Sequence, residues 1–357
     1  MVFIREKQMK FSRDDLIILI GAGASKDAGI LISSDMEREL EKLVNENIDW
    51  KKYNDLFYLI KSGTIYSNSL IHKEISFNIE TLLIVLEEME KKVQHPLYPF
   101  IGSWNIRFSE VIRDNFELIK NFKKDIIKEL KKWVNMKDKS KARYYQNLKR
   151  FQQETSYPLR LFSLNYDLCV ESLSKDSSEP FLIERGFDDK KEWDYKRFSE
   201  LPAEAQPNIY LYKIHGSLDW ERDYNTGIVS YIDTIAEIPD LIFGTQYKLQ
   251  YVDPYLFLFS ELRHYVFKAK IIICIGYSFS DEHVNAILSQ ALKYSRKVKL
   301  FSVSLNINKK NIAGILQVPD EDQIITEHNV YAKDFFENLS LKKIENMYKM
   351  DKNDDVV

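Results

Sequence analysis

Five short, mainly apolar runs constrain the fold of this chain more than any other feature. They cover residues 16–20, 159–164, 209–214, 271–275 and 298–305, and a weaker run covers 329–331. Continuous rather than alternating apolar character is typical of parallel strands whose sheet is covered by helices on both faces. The runs therefore predict an α/β protein with a Rossmann-like, mostly parallel, doubly wound sheet.

A long stretch between the first two runs follows a helical rather than a strand pattern. Apolar residues recur at helical spacing in two groups, Ile79, Leu82, Leu83 and Leu86, then Ile112, Ile119, Phe122, Ile126, Leu130 and Trp133. We predict a Rossmann-like domain over 11–35 and 153–340, a helical insertion subdomain over 36–152 and a polar C-terminal tail over 341–357. A separate helical domain that merely shares the chain is the alternative.

Charge and cysteine content exclude several classes of protein. The chain has 51 Lys and Arg against 54 Asp and Glu, a net charge of -3, which gives no global signature for binding nucleic acid or an anionic membrane. Cys169 and Cys274 lie in apolar surroundings and read as buried thiols, too few for a zinc site of clustered ligands. With no apolar stretch near the ~20 residues of a membrane span, we expect a cytoplasmic protein.

Residues 120–150 are locally basic, with twelve Lys and Arg against three acids. This segment reads either as the solvated face of a helix or as a docking surface for an acidic partner or nucleic acid.

The first apolar run leads into Gly21, Ala22, Gly23 and Ser25. Glycines at a strand end followed by a helix, here expected to begin near Ser25, are typical of a loop that binds a dinucleotide diphosphate. Lys26 stands where the third glycine of the usual dehydrogenase pattern would fall, so a plain tight turn is the alternative.

Polar residues follow three further runs. Asn165 and Asp167 follow the second, His215 the third, and Gly276 and Ser278 the fourth. Ligands of open parallel sheets lie beyond the carboxyl ends of the strands, so these residues are candidates for a binding site, with His215 a candidate general base. Asp167 also suits an Asx-type helix cap.

The next helix start offers a capping interpretation as well. Ser280 looks like its N-cap, with Asp281 and Glu282 in the first turn. A metal site at Asp281 and His283 is disfavoured because no further His or Cys lies nearby.

Taken in order, these motifs resemble the sirtuin family. GAGAS, NYD, HGS and GYS, followed by a late strand that ends in Asn306, match the order of the family's motifs over about residues 21–306. The combination of NYD, HGSLDW and GYSFSDEHVN is similar to the bacterial antiphage-defence branch. The four-cysteine zinc module of the protein deacylases cannot be formed here. Leu31 to Ser34 replace the Pro-Asp-Phe-Arg that those enzymes carry after Gly29-Ile30.

The resemblance implies an NAD hydrolase that yields nicotinamide and ADP-ribose without a metal. It assigns the diphosphate to Gly21, Ala22, Gly23 and Ser25, and the adenosine side to Gly276, Ser278 and Asn306. It assigns catalysis to Asn165, which orients water, to His215 as general base, and to Asp167, which engages the nicotinamide ribose or amide.

The resemblance further implies a toxic activity that is controlled by homo-oligomerisation or by a partner such as a ring-forming ATPase, with no membrane contact. A protein deacylase or ADP-ribosyltransferase is the alternative among enzymes. A non-catalytic sensor or scaffold that binds NAD or ADP-ribose within a defence complex is the alternative of another class.

Overall fold

A computed structural model describes residues 11–70, 77–90, 110–112, 115–174, 181–199, 206–243, 252–305, 307–319 and 321–350. The chain divides into two compact units, one formed by Met1–Ile30 with Met136–Val357 and the other by Leu31–Asn135. Over the described residues, no helix is long and apolar enough to cross a bilayer.

The first unit contains a seven-stranded sheet in the order β3-β4-β2-β1-β7-β8-β9, with every neighbouring pair parallel. The predicted Rossmann-like α/β class is therefore confirmed. The strands are β1 Leu16–Ile20, β2 Leu159–Ser163, β3 Ile183–Glu184, β4 Ile209–Lys213, β7 Ile271–Ile275, β8 Lys299–Ser304 and β9 Ile324–His328, and a separate antiparallel hairpin is formed by β5 Trp220–Arg222 and β6 Val229–Tyr231.

The five strong apolar runs coincide with β1, β2, β4, β7 and β8, but the weak run does not form a strand. The last strand, β9, lies at Ile324–His328, whereas Asn329 has a left-handed backbone with φ of 56°. That backbone ends the strand before the predicted residues.

The helices of the first unit are α5 Asn147–Thr155, α6 Tyr255–Lys268, α7 Glu282–Tyr294, α8 Lys309–Leu316, α9 Ala332–Glu337 and α10 Leu341–Met350. Two of them differ from the predicted organisation. Residues 136–152, expected in the insertion, pack in this unit, where Tyr144 and Tyr145 contact the loop after β1. Residues 341–350, expected as a polar tail, form α10, since Ile344 and Met347 recur at helical spacing and are buried.

The second unit contains α1 Ser33–Glu46, α2 Asn54–Leu70, α3 Ile79–Glu90 and α4 Phe116–Val134. The predicted stripe of α4 is buried, except that Val134 rather than Trp133 ends it. On the other face, Lys128 pairs with Asp125 and Lys132 with Glu129, each three residues away. These pairs are typical of a solvated helix face.

A buried ion pair lies at the amino ends of the central strands. The Arg160 Nε donates to Asp14 Oδ1 at 3.0 Å, and its guanidinium lies 4.2 Å from the ring centroids of both Tyr210 and Tyr265. Lys268 Nζ donates to the second Asp14 oxygen at 2.8 Å. Arg160 and Asp14 are almost fully buried, so loss of one partner leaves an uncompensated charge in the protein interior.

The ionisation of Asp14 predicts an acid-sensitive fold. Burial alone raises the pKa of Asp14, but hydrogen bonds from Lys268 and Arg160 outweigh it and hold the pKa below the usual 3.8. The stability that ionised Asp14 contributes to the fold is therefore fully present above a pH of 3.8. It is lost as the pH falls through the lower pKa of Asp14 in the folded protein. Asp14→Asn should cost about 3 to 5 kcal/mol near neutral pH and should flatten the acid limb of stability measured by thermal unfolding.

The matched control is Asp233→Asn, which removes an exposed partner of Lys191. We expect it to change the free energy of unfolding by less than about 0.5 kcal/mol. Equal losses in the two variants would contradict a special role for the buried pair.

Candidate functional site

The predicted site residues that the structure describes come from the carboxyl ends of four parallel strands. Gly21 follows β1, Asn165 follows β2, His215 follows β4 and Gly276 follows β7. Because β2 and β7 flank β1 on either side, these ends meet at the edge where ligands of doubly wound sheets bind. Asn306 lies outside the described residues.

The loops after β1 and β7 cross in direct backbone contact. The Gly21 N–H donates to Ile275 O at 3.0 Å, and the Gly23 N–H donates to Gly276 O at 2.9 Å. A Cβ on Gly21 would lie 2.7 Å from Gly276 O, and a Cβ on Gly276 would lie 2.1 Å from Ala24 N. These glycines are therefore needed for the crossing of two loops, whereas the sequence had suggested the approach of a diphosphate.

The helix after β1 also differs from the expectation. A 3-10 helix, Ala22–Ala28, begins directly at the turn, and no α-helix begins at Ser25. The Ala24 N–H donates to Gly21 O at 2.9 Å, so the amides of Gly21, Gly23 and Ala24 are all bonded within the protein. Ala22 is the exposed residue of the turn.

Ser25 is fully buried at the centre of a polar cluster. Its Oγ lies 2.9 Å from the Tyr145 hydroxyl and accepts from Asn165 Nδ2 at 3.1 Å. The neighbouring Tyr144 hydroxyl donates to Ala24 O at 2.6 Å. Burial raises the pKa of Tyr145 well above its ordinary value, which keeps the phenol neutral and able to donate. Sequence reasoning missed both tyrosines, which lie in the segment that stood out only for its lysines.

Asn165 is held in one orientation by the loop after β1. Its Nδ2 donates to Gly21 O at 3.0 Å and to Ser25 Oγ at 3.1 Å, which uses both amide protons. Its Oδ1 is buried and has no hydrogen-bond partner among the described residues. The side chain can therefore only accept a further hydrogen bond. The role predicted from the sequence, orienting a water by donating and accepting at once, is reduced to accepting.

Asp167 forms an Asx turn but not the expected helix cap, because no helix begins near Leu168 and the next helical element is a 3-10 turn at Glu171–Ser174. Its Oδ1 accepts from the Cys169 N–H at 2.9 Å, and its carbonyl accepts a short hydrogen bond from the buried Lys213 ammonium. Lys213 Nζ also lies 3.4 Å from Glu171 Oε1. Burial raises the pKa of the Cys169 thiol well above its usual value, so it is no nucleophile here. Lys213 and Glu171 thus fix the loop that carries Asn165 and Asp167, and no motif had indicated them.

His215 is bonded at both ring nitrogens. Its Nδ1 lies 3.1 Å from Leu164 O, and its Nε2 lies 2.9 Å from Asp281 Oδ2. Asp281, not Ser280, is the N-cap of α7, because its Oδ1 accepts from the His283 and Val284 N–H groups at 3.0 and 3.2 Å. The capping pattern in the sequence located this helix start but assigned the wrong residue to it.

Ser278 is exposed, and its Oγ lies 2.9 Å from Ser280 Oγ. The preceding residue, Tyr277, is buried, and its hydroxyl donates to Asn285 Oδ1 at 2.8 Å. Over the described residues, no group of three or more His, Cys, Asp or Glu is placed to hold a metal ion.

Part of the chain matches a known family model. Residues 160–316 match the model of a family described as a SIR2-like domain. The matched residues carry Asn165, His215 and Gly276, but they make up fewer than half of the 357 residues. The match supports the resemblance to sirtuins that the motifs indicated.

Solved structures of similar proteins include a Sir2 homolog in complex with NAD, with 11% identity, a TM-score of 0.44 and coverage of 95% of this chain and 89% of that chain. Another is Sir2Tm bound to a propionylated peptide, with 10% identity, a TM-score of 0.38 and coverage of 93% of each chain. Both TM-scores are below 0.5, so neither likeness bears on the function of this chain. No curated protein matched the sequence.

The loop crossing predicts a large difference between two glycine substitutions. Gly276 has φ of 62° and no room for a Cβ, so Gly276→Ala should cost about 2 to 4 kcal/mol of stability. Gly314 lies in α8 with nothing within 4 Å of its Cβ position, so Gly314→Ala should stabilise by up to about 1 kcal/mol. Chemical unfolding of both variants checks this, and a harmless Gly276→Ala would refute the close crossing.

Proposed function

We propose that the chain is an NAD glycohydrolase, which cleaves the nicotinamide–ribose bond to give nicotinamide and ADP-ribose. The single observation that carries the proposal is the buried Asn165 Oδ1, which has no hydrogen-bond partner in the described parts of the chain and lies where the loops after β1, β2 and β7 meet. The SIR2-like match over the residues that carry Asn165 and His215 supports it.

Hydrolysis of this bond needs a positioned water more than it needs an activated leaving group. Nicotinamide departs as a neutral molecule from a cationic ring, so the protein must hold the water that attacks the ribose. Asn165 Oδ1 is an acceptor whose own donors are both engaged, so it would bind one O–H of that water or of a ribose hydroxyl. Its fixed orientation limits the geometries from which the water attacks.

The remaining roles follow the same arrangement. We assign the diphosphate to the loop at Gly21, Ala22, Gly23 and Ser25, where Ala22 is exposed and Ser25, whose hydroxyl is buried, acts through its contact with Asn165. We assign the adenosine side to Gly276, Ser278 and Asn306. The second carboxylate oxygen of Asp167, which does not take part in its Asx turn, is assigned to the nicotinamide ribose or amide, and His215 is the base.

We further propose that this activity is the toxic effector of a bacterial antiphage defence system that acts by abortive infection. The resemblance to the defence-associated branch supports this role. Uncontrolled NAD loss would harm the host, so we expect control by homo-oligomerisation or by a partner such as a defence ATPase. The exposed lysines of 120–150 are our candidate surface for an acidic partner or nucleic acid.

The proposal is tested by nicotinamide release from NAD by the purified chain over a range of protein concentrations. Asn165→Ala and His215→Ala should each lower the rate at least ~100-fold, since each removes a group that acts on the attacking water. A steep dependence on protein concentration is expected if assembly controls the activity.

Asn208→Ala is the matched control for the asparagine. The Asn208 side chain also bonds both a backbone and a side-chain group, since its Oδ1 accepts from the Leu182 N–H and its Nδ2 donates to Gln152 Oε1. Unlike Asn165, it lies at the amino end of a strand, β4. We expect full activity in this variant. Release that persists in Asn165→Ala, or an acyl-lysine peptide that is deacylated with stoichiometric use of NAD, would contradict the proposal.

A further inference from the structure

His215 has no ring nitrogen ready to accept a proton in this structure. The carbonyl oxygen of Leu164 can only accept, so the Nδ1 that lies 3.1 Å away carries a hydrogen. The Nε2 faces Asp281 Oδ2 at 2.9 Å, and one proton lies between these two atoms. A neutral imidazole results if the proton is on the carboxyl group, and an imidazolium results if it is on Nε2.

The surroundings of Asp281 decide between these two states. Its Oδ1 accepts two backbone N–H groups at the start of α7, from His283 at 3.0 Å and Val284 at 3.2 Å. Hydrogen bonds from backbone amides and the positive end of a helix both favour the ionised carboxylate. The shared proton therefore belongs on Nε2.

We infer that Asp281 is a positioning residue that keeps His215 doubly protonated while no ligand is bound. Both side chains are only 4% exposed, so the backbone N–H groups that bond Asp281 offset the cost of burying the ion pair. Tyr166 is in ring contact with His215, at 6.4 Å between centroids, and its hydroxyl donates to Ile242 O.

This inference rests on the proposed function for the part His215 plays as a base. Before Nε2 can take a proton from water, it must give up its own, and Asp281 Oδ2 lies close enough to receive it. The first transfer moves one proton from Nε2 to Oδ2, and the second moves one from the water to Nε2. Hydrolysis releases one proton overall, which then leaves the His215–Asp281 pair for solvent.

The inference is tested by nitrogen NMR of the histidine rings in the full chain at about pH 7, without NAD. The signals of His215 are assigned by their loss in His215→Gln. In the wild-type protein we expect two similar ring-nitrogen shifts, the signature of an imidazolium. In Asp281→Asn the amide would donate to Nε2, so we expect the widely separated shifts of a neutral ring.

Asp281→Ser is the second variant. Serine is as good an N-cap as aspartate or asparagine, but its side chain is too short to hold the ring nitrogen, so the neutral signature should appear here too. Glu282→Gln controls for the loss of one negative charge from the same helix start and should leave the imidazolium signature intact.

A neutral His215 ring in the wild-type protein would overturn the inference, as would an imidazolium that persists in both Asp281 variants. Either result is independent of nicotinamide release, because no substrate is present. Failure of the inference is thereby distinguished from failure of the proposed function.

Discussion

The crossing of the loops after β1 and β7 is the constraint on which the rest of the site depends. Two backbones approach so closely that a Cβ on Gly21, Gly23 or Gly276 would lie within 3 Å of the other loop. The crossing fixes the Gly21 carbonyl, which in turn accepts one of the two hydrogen bonds that orient Asn165. A small shift here would move Asn165, the side chain on which the proposed hydrolysis depends.

The polar groups around this crossing are unequally satisfied. Ser25 and His215 have their hydrogen-bonding atoms engaged by Tyr145, Asn165, Leu164 and Asp281. Among the predicted site residues that the structure describes, the one buried side-chain atom without a partner is Asn165 Oδ1. An unpaired buried acceptor costs free energy unless something donates to it. Under the proposed function, a bound substrate hydroxyl or water would donate to this oxygen and remove that cost.

Sequence reasoning succeeded where a pattern is local. Continuous apolar runs such as Leu16–Ile20 and Ile271–Ile275 predicted the strands, and the polar residues after them predicted which strand ends meet, because parallel topology makes those ends converge. The same reasoning placed a strand at 329–331, where the left-handed Asn329 ends one instead. It also took 341–350 for a tail, although two apolar residues suffice to dock that helix.

The partners of the site residues could not be found in the same way. Tyr145 reaches Ser25 from 120 residues away, and Asp281 reaches His215 from 66 residues away. No spacing rule links such pairs, since three-dimensional packing alone brings them together. The acidic helix start at Asp281 was visible in the sequence, but a capping pattern does not reveal what the second carboxylate oxygen contacts.

The most direct test of the account is a crystal structure of the chain with ADP-ribose bound. The account predicts a ribose hydroxyl or an ordered water within hydrogen-bonding distance of Asn165 Oδ1, with the loop crossing at Gly276 unchanged. A ligand bound elsewhere, or an Asn165 oxygen still without a partner beside the bound ribose, would contradict it.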